Sequence, residues 1–370
     1  MKRMPVWTKN LLRCVFFFGI FLVMLVTVSY ILRPYSGGAS RKNLCGFYAE
    51  EEDSLDVVFI GSSAVFTYWE PMEFWKKYGV TSYDFAVGTM PPQTVKYCLK
   101  EIQKTQDPEL YVIDLRTFNA AEDGYYLEKE VMNMDHEVPL RNVTDNVKYS
   151  LNRFQMIADC VPDTYDKLSY YLDIVKYHTE WLRLKDKQSL LFGRNETHDS
   201  LKGFKLVNAV KPVEFKDYSE VDSKRELSER LEGILYDLLD YCREEDLQVL
   251  FLVNNYCQSK KHKEMYNYME GIITDYGFGF LNTNDFYQEI GVDFSTDYYD
   301  KSHVNIYGAD KYTEFVGEYL MDHYSFVSKA GEPEYASWDK DYEVWLQETK
   351  ELKESIQAKI DAAEKETENP

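Results

Sequence analysis

The sequence predicts an α/β protein: a flavodoxin-like, parallel five-stranded sheet with helices on both faces, preceded by one N-terminal transmembrane helix. Three observations predict this fold. An uncharged apolar stretch occupies residues 14–32, short apolar runs recur along the chain, and amphipathic helical patterns lie between those runs. Strands that alternate with helices are typical of a parallel sheet covered on both faces.

The apolar stretch at residues 14–32 is long enough to cross a bilayer, since 1.5 Å of rise per residue gives it a length of about 30 Å. Basic residues precede it and favour a cytoplasmic N-terminus: Lys2, Arg3, Lys9 and Arg13. We expect residues 1–33 to be a cytoplasmic stub and an uncleaved single-pass anchor in the cell membrane, with the C-terminal bulk extracytoplasmic. A cleaved signal peptide is the competing interpretation. Residues 34–53 are expected to form a tether.

Five apolar runs are predicted to be the strands of the sheet: 56–60, 80–87, 110–115, 247–253 and 278–283. Four amphipathic segments are predicted to be helices that cover it: 91–104, 223–245, 261–277 and 307–324. Ser223 and Glu226 fit a capping box at the start of the second of these helices.

Residues 54–330 are expected to form this α/β domain, with a mostly helical insertion at residues 120–222. The insertion is polar, rich in Tyr and weakly periodic. Residues 331–370 are expected to be a charged, solvated helical tail, because their apolar stripe is narrow. That stripe consists of Leu352, Ile356 and Ile360.

The formal net charge of −21 repels phosphates, so we expect no nucleic-acid partner. The six cysteines form no C-x-x-C pair, and the chain has no H-E-x-x-H, Walker or dinucleotide-binding sequence. We therefore expect neither a metal site nor a cofactor.

In parallel sheets, sites form outside the carboxyl ends of the strands. This rule indicates Gly61–Ser63, Gly88, Arg116–Asn119 and Asn254–Tyr256. A sharp turn after the first strand can expose the hydroxyl of Ser63, although Gly-Ser-Ser alone is more typical of a helix N-cap.

Asp300 and His303 lie in the loop before the last core helix. A neutral imidazole can accept a serine proton, and a carboxylate on the other ring nitrogen fixes its tautomer. Three-residue spacing in a tight loop can bring these two groups together. Asp114 and Asp297 are alternative carboxylates near strand ends.

Taken together, Gly61-Ser62-Ser63 and Asp300-Lys301-Ser302-His303 resemble the first and last blocks of the SGNH (GDSL-like) hydrolase family. The resemblance covers roughly residues 55–120 and 245–325. It implies that Ser63 is the nucleophile, His303 the base and Asp300 the group that orients it. It further implies an oxyanion hole formed by the N–H groups of Gly88 and Ser63.

The chain departs from the family pattern at two positions. Ser62 replaces the usual Asp of the first block, and residues 113–119 (IDLRTFN) replace the Asn-containing third block. Arg116 or Asn119 is the candidate for the missing oxyanion donor. Loss of one such donor costs about 3–4 kcal/mol of transition-state stabilisation.

An anchor followed by a divergent SGNH domain also resembles the membrane-anchored acyl-modification proteins of cell envelopes, of the teichoic-acid D-alanyl transfer type. This resemblance implies a serine esterase or O-acyltransferase that acts on acyl esters of a cell-surface polysaccharide or teichoic-acid-like polymer. A membrane-bound O-acyltransferase is the implied partner. The alternative is a catalytically inactive scaffold or binding protein on the same fold, since a fold does not dictate a function.

Overall fold

Five parallel strands form the centre of the molecule, in the order β2-β1-β3-β4-β5. The computed structural model describes residues 5–32, 38–122, 137–162, 167–183 and 197–368. The strands of the sheet are β1 (Val57–Gly61), β2 (Ser82–Ala86), β3 (Leu110–Asp114), β4 (Val249–Val253) and β5 (Gly279–Asn282). This is the flavodoxin-like order, so the predicted fold class is confirmed.

Helices surround this sheet, and short antiparallel strands add a hairpin that the sequence did not predict. The helices are α1 (Val6–Leu32), α2 (Gly38–Phe47), α3 (Ser63–Tyr68), α4 (Pro71–Tyr78), α5 (Val95–Ile102), α6 (Arg116–Glu122), α7 (Glu137–Thr144), α8 (Leu151–Cys160), α9 (Lys167–Tyr171), α10 (Asp173–Tyr177), α11 (Glu229–Glu244), α12 (Lys260–Asp275), α13 (Ile306–His323) and α14 (Ala336–Glu368). The hairpin strands are β6 (Tyr298–Asp300) and β7 (His303–Val304).

The strands β1 to β4 are buried at every position, which explains the apolar runs of β1, β3 and β4 in the sequence, whereas β2 also buries Ser82 and Asp84. The four helices predicted between and after the strands are present as α5, α11, α12 and α13. Cys98 and Cys242 are fully buried among them and pack as small apolar side chains.

The N-terminal helix α1 is long and apolar enough to cross a membrane over Val6–Ser29, and most of this stretch, up to residue 24, is exposed. A membrane anchor and a signal sequence both have this length and composition. The apolar helix predicted at residues 14–32 is therefore present.

The start of α11 corrects the predicted cap. Ser228, rather than Ser223, is the N-cap residue, and its Oγ accepts a hydrogen bond from the N–H of Leu231. Ser223 instead donates to Glu264 Oε1 over 2.8 Å. Residues 221–228 form neither helix nor strand, and Arg225 N–H donates to Glu264 O of α12. Helix α11 therefore begins later than the apolar periodicity suggests.

The segment predicted as a tether, residues 34–53, includes helix α2, which is part of the packed body. Phe47 on α2 lies edge-on to Tyr83 and Phe85 of β2, with ring centroids 5.6 and 4.8 Å apart. Leu44 and Phe47 are fully buried, and they share one helical face because they are three residues apart. The chain thus joins the core shortly after α1 ends.

The insertion predicted at residues 120–222 contains two kinds of structure among its described residues. Residues 137–160 and 167–183 form short helices and a 3₁₀ turn, His178–Arg183. Residues 204–218 have no helix or strand and run along the body, where Lys205 N–H donates to Phe66 O and Lys211 N–H to Tyr298 O. Residues 123–136, 163–166 and 184–196 of the predicted insertion lie outside the described residues.

The C-terminal helix α14 packs on the body through one face and is not solvated all round. Trp338, Trp345 and Ile356 are buried, and Trp75 Nε1 donates to Asp339 Oδ1 over 3.1 Å. The apolar stripe thus begins at Trp338 and Trp345, upstream of the predicted Leu352. The sequence analysis did not include these tryptophans in the stripe because charged residues surround them. Each large buried side chain stabilises this attachment by about 1.5–3 kcal/mol.

Candidate active site

Ser62 and Ser63 form the turn from β1 into α3 and have different roles. Ser62 is the N-cap: it has extended backbone, and its Oγ accepts a hydrogen bond from the N–H of Ala64 over 3.4 Å. The same hydroxyl donates to Asp114 Oδ2 over 2.8 Å. The capping function that Gly-Ser-Ser suggested therefore belongs to Ser62, and the hydroxyl of Ser63 is available for another partner.

Asp114 supports this turn from the end of the neighbouring strand β3. Its Oδ2 also accepts from Ser62 N–H over 3.3 Å, and its Oδ1 accepts from Arg116 N–H over 2.9 Å. A Cβ on Gly61 would clash with the Asp114 side chain, so glycine is required here. Burial raises the pKa of Asp114, while the Arg116 charge and these hydrogen bonds oppose the increase.

Asp300 and His303 lie on opposite strands of the β6–β7 hairpin, directly across from each other. His303 Nδ1 is 3.0 and 3.1 Å from the two carboxylate oxygens of Asp300. Ser302 N–H, in the turn between them, donates to Asp300 Oδ1 over 2.7 Å. The three-residue spacing thus produces a local imidazole–carboxylate pair.

His303 Nε2 is 2.8 Å from Ser63 Oγ, so the structure brings Ser63, His303 and Asp300 into one chain of hydrogen bonds. Burial raises the pKa of Asp300, but the hydrogen bond and charge of His303 and the N–H of Ser302 outweigh burial and leave the pKa below its ordinary value. Asp300 is therefore ionised at neutral pH. A carboxylate that accepts a hydrogen bond from Nδ1 orients the imidazole and favours the neutral tautomer whose Nε2 lone pair faces the serine hydroxyl.

Two tyrosines that the sequence analysis did not single out brace this arrangement. The ring of Tyr299 stacks on that of His303, with centroids 5.4 Å apart and planes at 10°. Tyr68 OH is 3.2 Å from Ser302 O and 2.6 Å from Asn255 O, so it connects α3 with the hairpin and the end of β4. Neither residue has a sequence signal, because both contacts depend on tertiary packing.

Two of the four predicted oxyanion donors hydrogen-bond other groups of the protein. Gly88 N–H donates to Ser40 Oγ over 2.8 Å. Asn119 Nδ2 donates to the hydroxyls of Tyr256, over 2.5 Å, and Tyr266. An N–H that is already bonded stabilises a developing oxyanion only after it exchanges partners.

The other two predicted donors each have a donor nitrogen without a hydrogen-bond partner among the described residues. Ser63 is the first residue of α3, so its N–H has no intrahelical acceptor, and it has no other acceptor among the described residues. Arg116 Nη1 likewise has no hydrogen-bond partner in this part of the chain. The Arg116 guanidinium lies 4.3 Å from the ring centroid of Tyr256 and 5.8 Å from that of Tyr68.

Asp114 and Asp297, the alternative carboxylates, do not contact His303. Asp114 supports Ser62, and Asp297 forms an ion pair of 2.7 Å with Lys311. The end of β4 braces the serine helix through Asn254, whose Nδ2 donates to Ala64 O over 3.2 Å. The carboxyl ends of β1, β3 and β4 thus converge at the serine, as sheet topology predicts.

No family model and no curated protein matches this chain. Among solved structures, one similar chain is an active-site mutant of a family two carbohydrate esterase from Clostridium thermocellum in complex with celluohexase. The TM-score is 0.32, at 10% sequence identity, and the alignment covers 74% of this chain and 65% of that one. This chain thus spans slightly less than two thirds of that neighbour's length, and a likeness of this size does not identify a function.

Proposed function

We propose that this protein is an extracytoplasmic serine esterase or O-acyltransferase that acts on acyl esters of a cell-surface polymer. The observation that supports the proposal most directly is the hydrogen-bond chain Ser63 Oγ–His303 Nε2 and His303 Nδ1–Asp300. A serine, a histidine and a carboxylate in this order are the parts that nucleophilic acyl transfer requires.

In the proposed reaction, Ser63 Oγ bonds to the acyl carbon while its proton moves to His303 Nε2. The tetrahedral intermediate then breaks its bond to the departing alcohol, and His303 returns the proton to that oxygen. The product is an acyl-Ser63 ester. Asp300, ionised because its pKa is lowered, stabilises the imidazolium that forms in between.

In the second half of the reaction, His303 removes the proton from water, in an esterase, or from a polymer hydroxyl, in a transferase. That oxygen bonds to the acyl carbon, the bond between the acyl carbon and Ser63 Oγ breaks, and His303 returns the proton to Ser63 Oγ. The Ser63 N–H and the Arg116 guanidinium are the proposed oxyanion donors, since each has hydrogen-bonding capacity that the described residues leave unused. One such donor is worth about 3–4 kcal/mol in transition-state stabilisation.

The extracytoplasmic location and the polymer substrate rest on two further observations. Helix α1 is long and apolar enough to anchor the chain, and the basic residues before it favour a cytoplasmic N-terminus. The sequence resembles envelope acyl-modification proteins, which implies a polysaccharide or teichoic-acid-like acceptor and a membrane-bound O-acyltransferase as partner.

A fluorophosphonate probe tests the proposed nucleophile, because it reacts with activated serines. We expect the detergent-solubilised full chain to be labelled at Ser63 and labelling to be lost in Ser63→Ala and His303→Ala. His198→Ala is the matched control: His198 also pairs with a carboxylate, Asp341 Oδ1 at 2.7 Å, but outside the triad. Labelling that persists in His303→Ala contradicts the proposal.

The occupied N–H groups of Gly88 and Asn119 favour a second candidate function, a catalytically inactive scaffold. If the oxyanion site is closed, the fold acts only by binding a partner or polymer. Complementation of a gene deletion separates the two functions. A Ser63→Ala chain that restores the cellular phenotype supports the scaffold, whereas one that behaves like the deletion supports the enzyme.

A further inference from the structure

Apolar side chains that are exposed outside α1 are concentrated in one part of the insertion. Six of them lie between residues 151 and 182: Leu151, Phe154, Leu168, Val175, Trp181 and Leu182. Trp181 and Leu182 are 60% and 69% exposed. Such a concentration indicates a surface that contacts another apolar phase, because isolated exposed apolar residues are ordinary but clustered ones are not.

These residues belong to a continuous set of short elements. The ring of Phe154 on α8 stacks on Tyr171 of α9, with centroids 5.3 Å apart. Helix α9 packs on α10, and α10 packs on the 3₁₀ turn that contains Trp181 and Leu182. We call the six exposed side chains the interfacial surface.

The elements of the interfacial surface rest against the end of α1. The N–H of Ile174 on α10 donates to Ser29 Oγ over 3.3 Å, and both α10 and the 3₁₀ turn contact α1. Ser29 is buried, and Leu25 is half-buried. Leu25 precedes Ser29 by about 6 Å along the helix axis, so the contact covers the last turn of the apolar stretch, which ends at Ser29.

We propose that the interfacial surface lies in the headgroup region of the bilayer that α1 enters, so that the protein contacts lipid through the insertion as well as through its anchor. This inference rests on the membrane-spanning part of the proposed function. If the stretch up to Ser29 crosses the bilayer, elements that contact its last turn are at the depth of the lipid headgroups. Tryptophan is enriched at that depth because its ring is apolar and its indole N–H is polar.

Lipid fits this surface better than a protein partner does. The six side chains project from four short elements, and α1 of the same chain fixes the depth of those elements. Lipid therefore contacts them without any second molecule. Amphipathic elements at an interface bury their apolar side chains about 5–10 Å into the boundary between headgroups and acyl chains.

The proposed lipid contact also bears on the position of the candidate active site. Gly88, which follows β2 and is one of the predicted oxyanion donors, is hydrogen-bonded by the helix that follows α1 in the chain and by a helix of the insertion. Its N–H donates to Ser40 of α2, and its carbonyl accepts from Asn142 Nδ2 of α7 over 2.8 Å. A fixed orientation of the insertion on the bilayer would therefore fix the height of the site above the membrane.

Tryptophan fluorescence of the full chain in phosphatidylcholine vesicles tests the proposal. The exposed tryptophans are Trp7 and Trp181, while the other four are at most 3% exposed. A Trp7→Phe chain therefore isolates Trp181. We expect lipids with a nitroxide near the headgroup to quench Trp181 more strongly than lipids with a nitroxide deep in the acyl chain, and aqueous iodide to quench it little. The matched control is Trp7→Phe with Trp181→Phe, which should lose this quenching.

Three outcomes overturn the proposal in distinguishable ways. If the chain floats with the vesicles while iodide quenches Trp181 fully and neither lipid does, the interfacial surface is wrong and the anchor stands. If Trp181 is shielded only when a second membrane protein is present, a protein partner replaces lipid. If the chain does not float, both the anchor and the surface fail. Fluorophosphonate labelling of Ser63 in the same vesicles reports on the catalytic proposal separately.

Discussion

The variant Asp114→Asn tests whether Asp114 holds the turn that contains Ser62 and Ser63, and it leaves the proposed triad residues unchanged. Asp114 Oδ2 accepts from both the N–H and the hydroxyl of Ser62, over 3.3 and 2.8 Å, and Oδ1 accepts from Arg116 N–H over 2.9 Å. The replacement keeps the shape of the side chain but has only one acceptor oxygen. The asparagine oxygen can accept a hydrogen bond either from Arg116 N–H or from Ser62, but not from both. Its NH₂ group then faces the other N–H donor, and two donors cannot form a hydrogen bond with each other.

The magnitude follows from these bonds. A hydrogen bond to a charged, buried group contributes about 1.5–3 kcal/mol. Burial already raises the pKa of Asp114, which means that the ionised form is penalised in the folded protein. We therefore take the lower part of this range and expect the free energy of unfolding to fall by about 2 kcal/mol. Ser62→Ala removes the cap and one of the bonds to Asp114, and we expect it to cost about 1 kcal/mol.

The two substitutions share a hydrogen bond, so their effects should not add. In the double variant we expect a loss smaller than the sum by about 0.5–1 kcal/mol, which a double-mutant cycle measures by denaturant unfolding of the full chain in mild detergent. A displacement of Ser63 Oγ by about 1 Å costs about 10²-fold in rate, so fluorophosphonate labelling of Asp114→Asn should slow by up to this factor.

Asp240→Asn is the matched control, since Asp240 forms a surface ion pair with Arg243 that is worth little. We expect its unfolding and labelling to resemble those of the unchanged protein. The reasoning is refuted if Asp114→Asn also unfolds at the unchanged denaturant concentration and is labelled at the unchanged rate. Asp114 would then be a buried carboxylate with no part in positioning the turn.

Three further predictions concern the same site. Arg116→Gln should slow labelling of Ser63 by about 10²–10³-fold if Arg116 is an oxyanion donor, with Arg116→Lys intermediate, and equal rates in all three chains would exclude that role. Asp300→Asn should slow labelling by about 10⁴-fold at neutral pH. In the unchanged protein the pKa of Asp300 is lowered, so the stability that the ionised carboxylate contributes is complete above its unfolded-state pKa and is lost as the pH falls through its folded-state pKa. Unfolding of the unchanged protein and of Asp300→Asn as a function of pH measures this contribution. Identical acid profiles of the two proteins would contradict it. Gly61→Ala should destabilise the chain by about 1–3 kcal/mol, because a Cβ there clashes with Asp114 and lies 2.9 Å from Val65 Cγ2; an unchanged thermal midpoint would show that the turn can relax.

The sheet could be predicted from the sequence because β1, β3 and β4 are apolar runs of the length that a buried strand needs, and amphipathic helices separate the runs. The N-cap residue of α11 could not be predicted from the sequence, because Ser223 and Ser228 both precede the amphipathic segment. The hydrogen bonds of Ser223 and Arg225 with Glu264 of α12 keep residues 223–225 out of the helix, so Ser228 becomes the cap. Helix α2 was missed for a related reason. Its apolar face is short, and only its packing on β2 makes it a stable part of the body.

The serine, histidine and aspartate could be placed from the sequence because each depends on local geometry or on sheet topology. Asp300 and His303 face each other across a hairpin, and Ser63 follows the first strand of the sheet. The identity of the oxyanion donors could not be predicted in the same way. Gly88 and Asn119 occupy the expected strand ends, but their N–H groups bond to Ser40 and to the tyrosines of distant elements.

The oxyanion donors are the feature of this chain that distinguishes the proposed esterase from an inactive scaffold. The proposed nucleophile Ser63, base His303 and orienting carboxylate Asp300 form a continuous chain of hydrogen bonds. Oxyanion stabilisation is the function for which few donors are left, and it is usually the largest single contribution to such catalysis. The proposed acyl transfer therefore requires Arg116 and the Ser63 N–H to replace the donors that Gly88 and Asn119 have committed elsewhere. For this reason, labelling rates of the Arg116 variants discriminate between the two functions more sharply than loss of activity in Ser63→Ala.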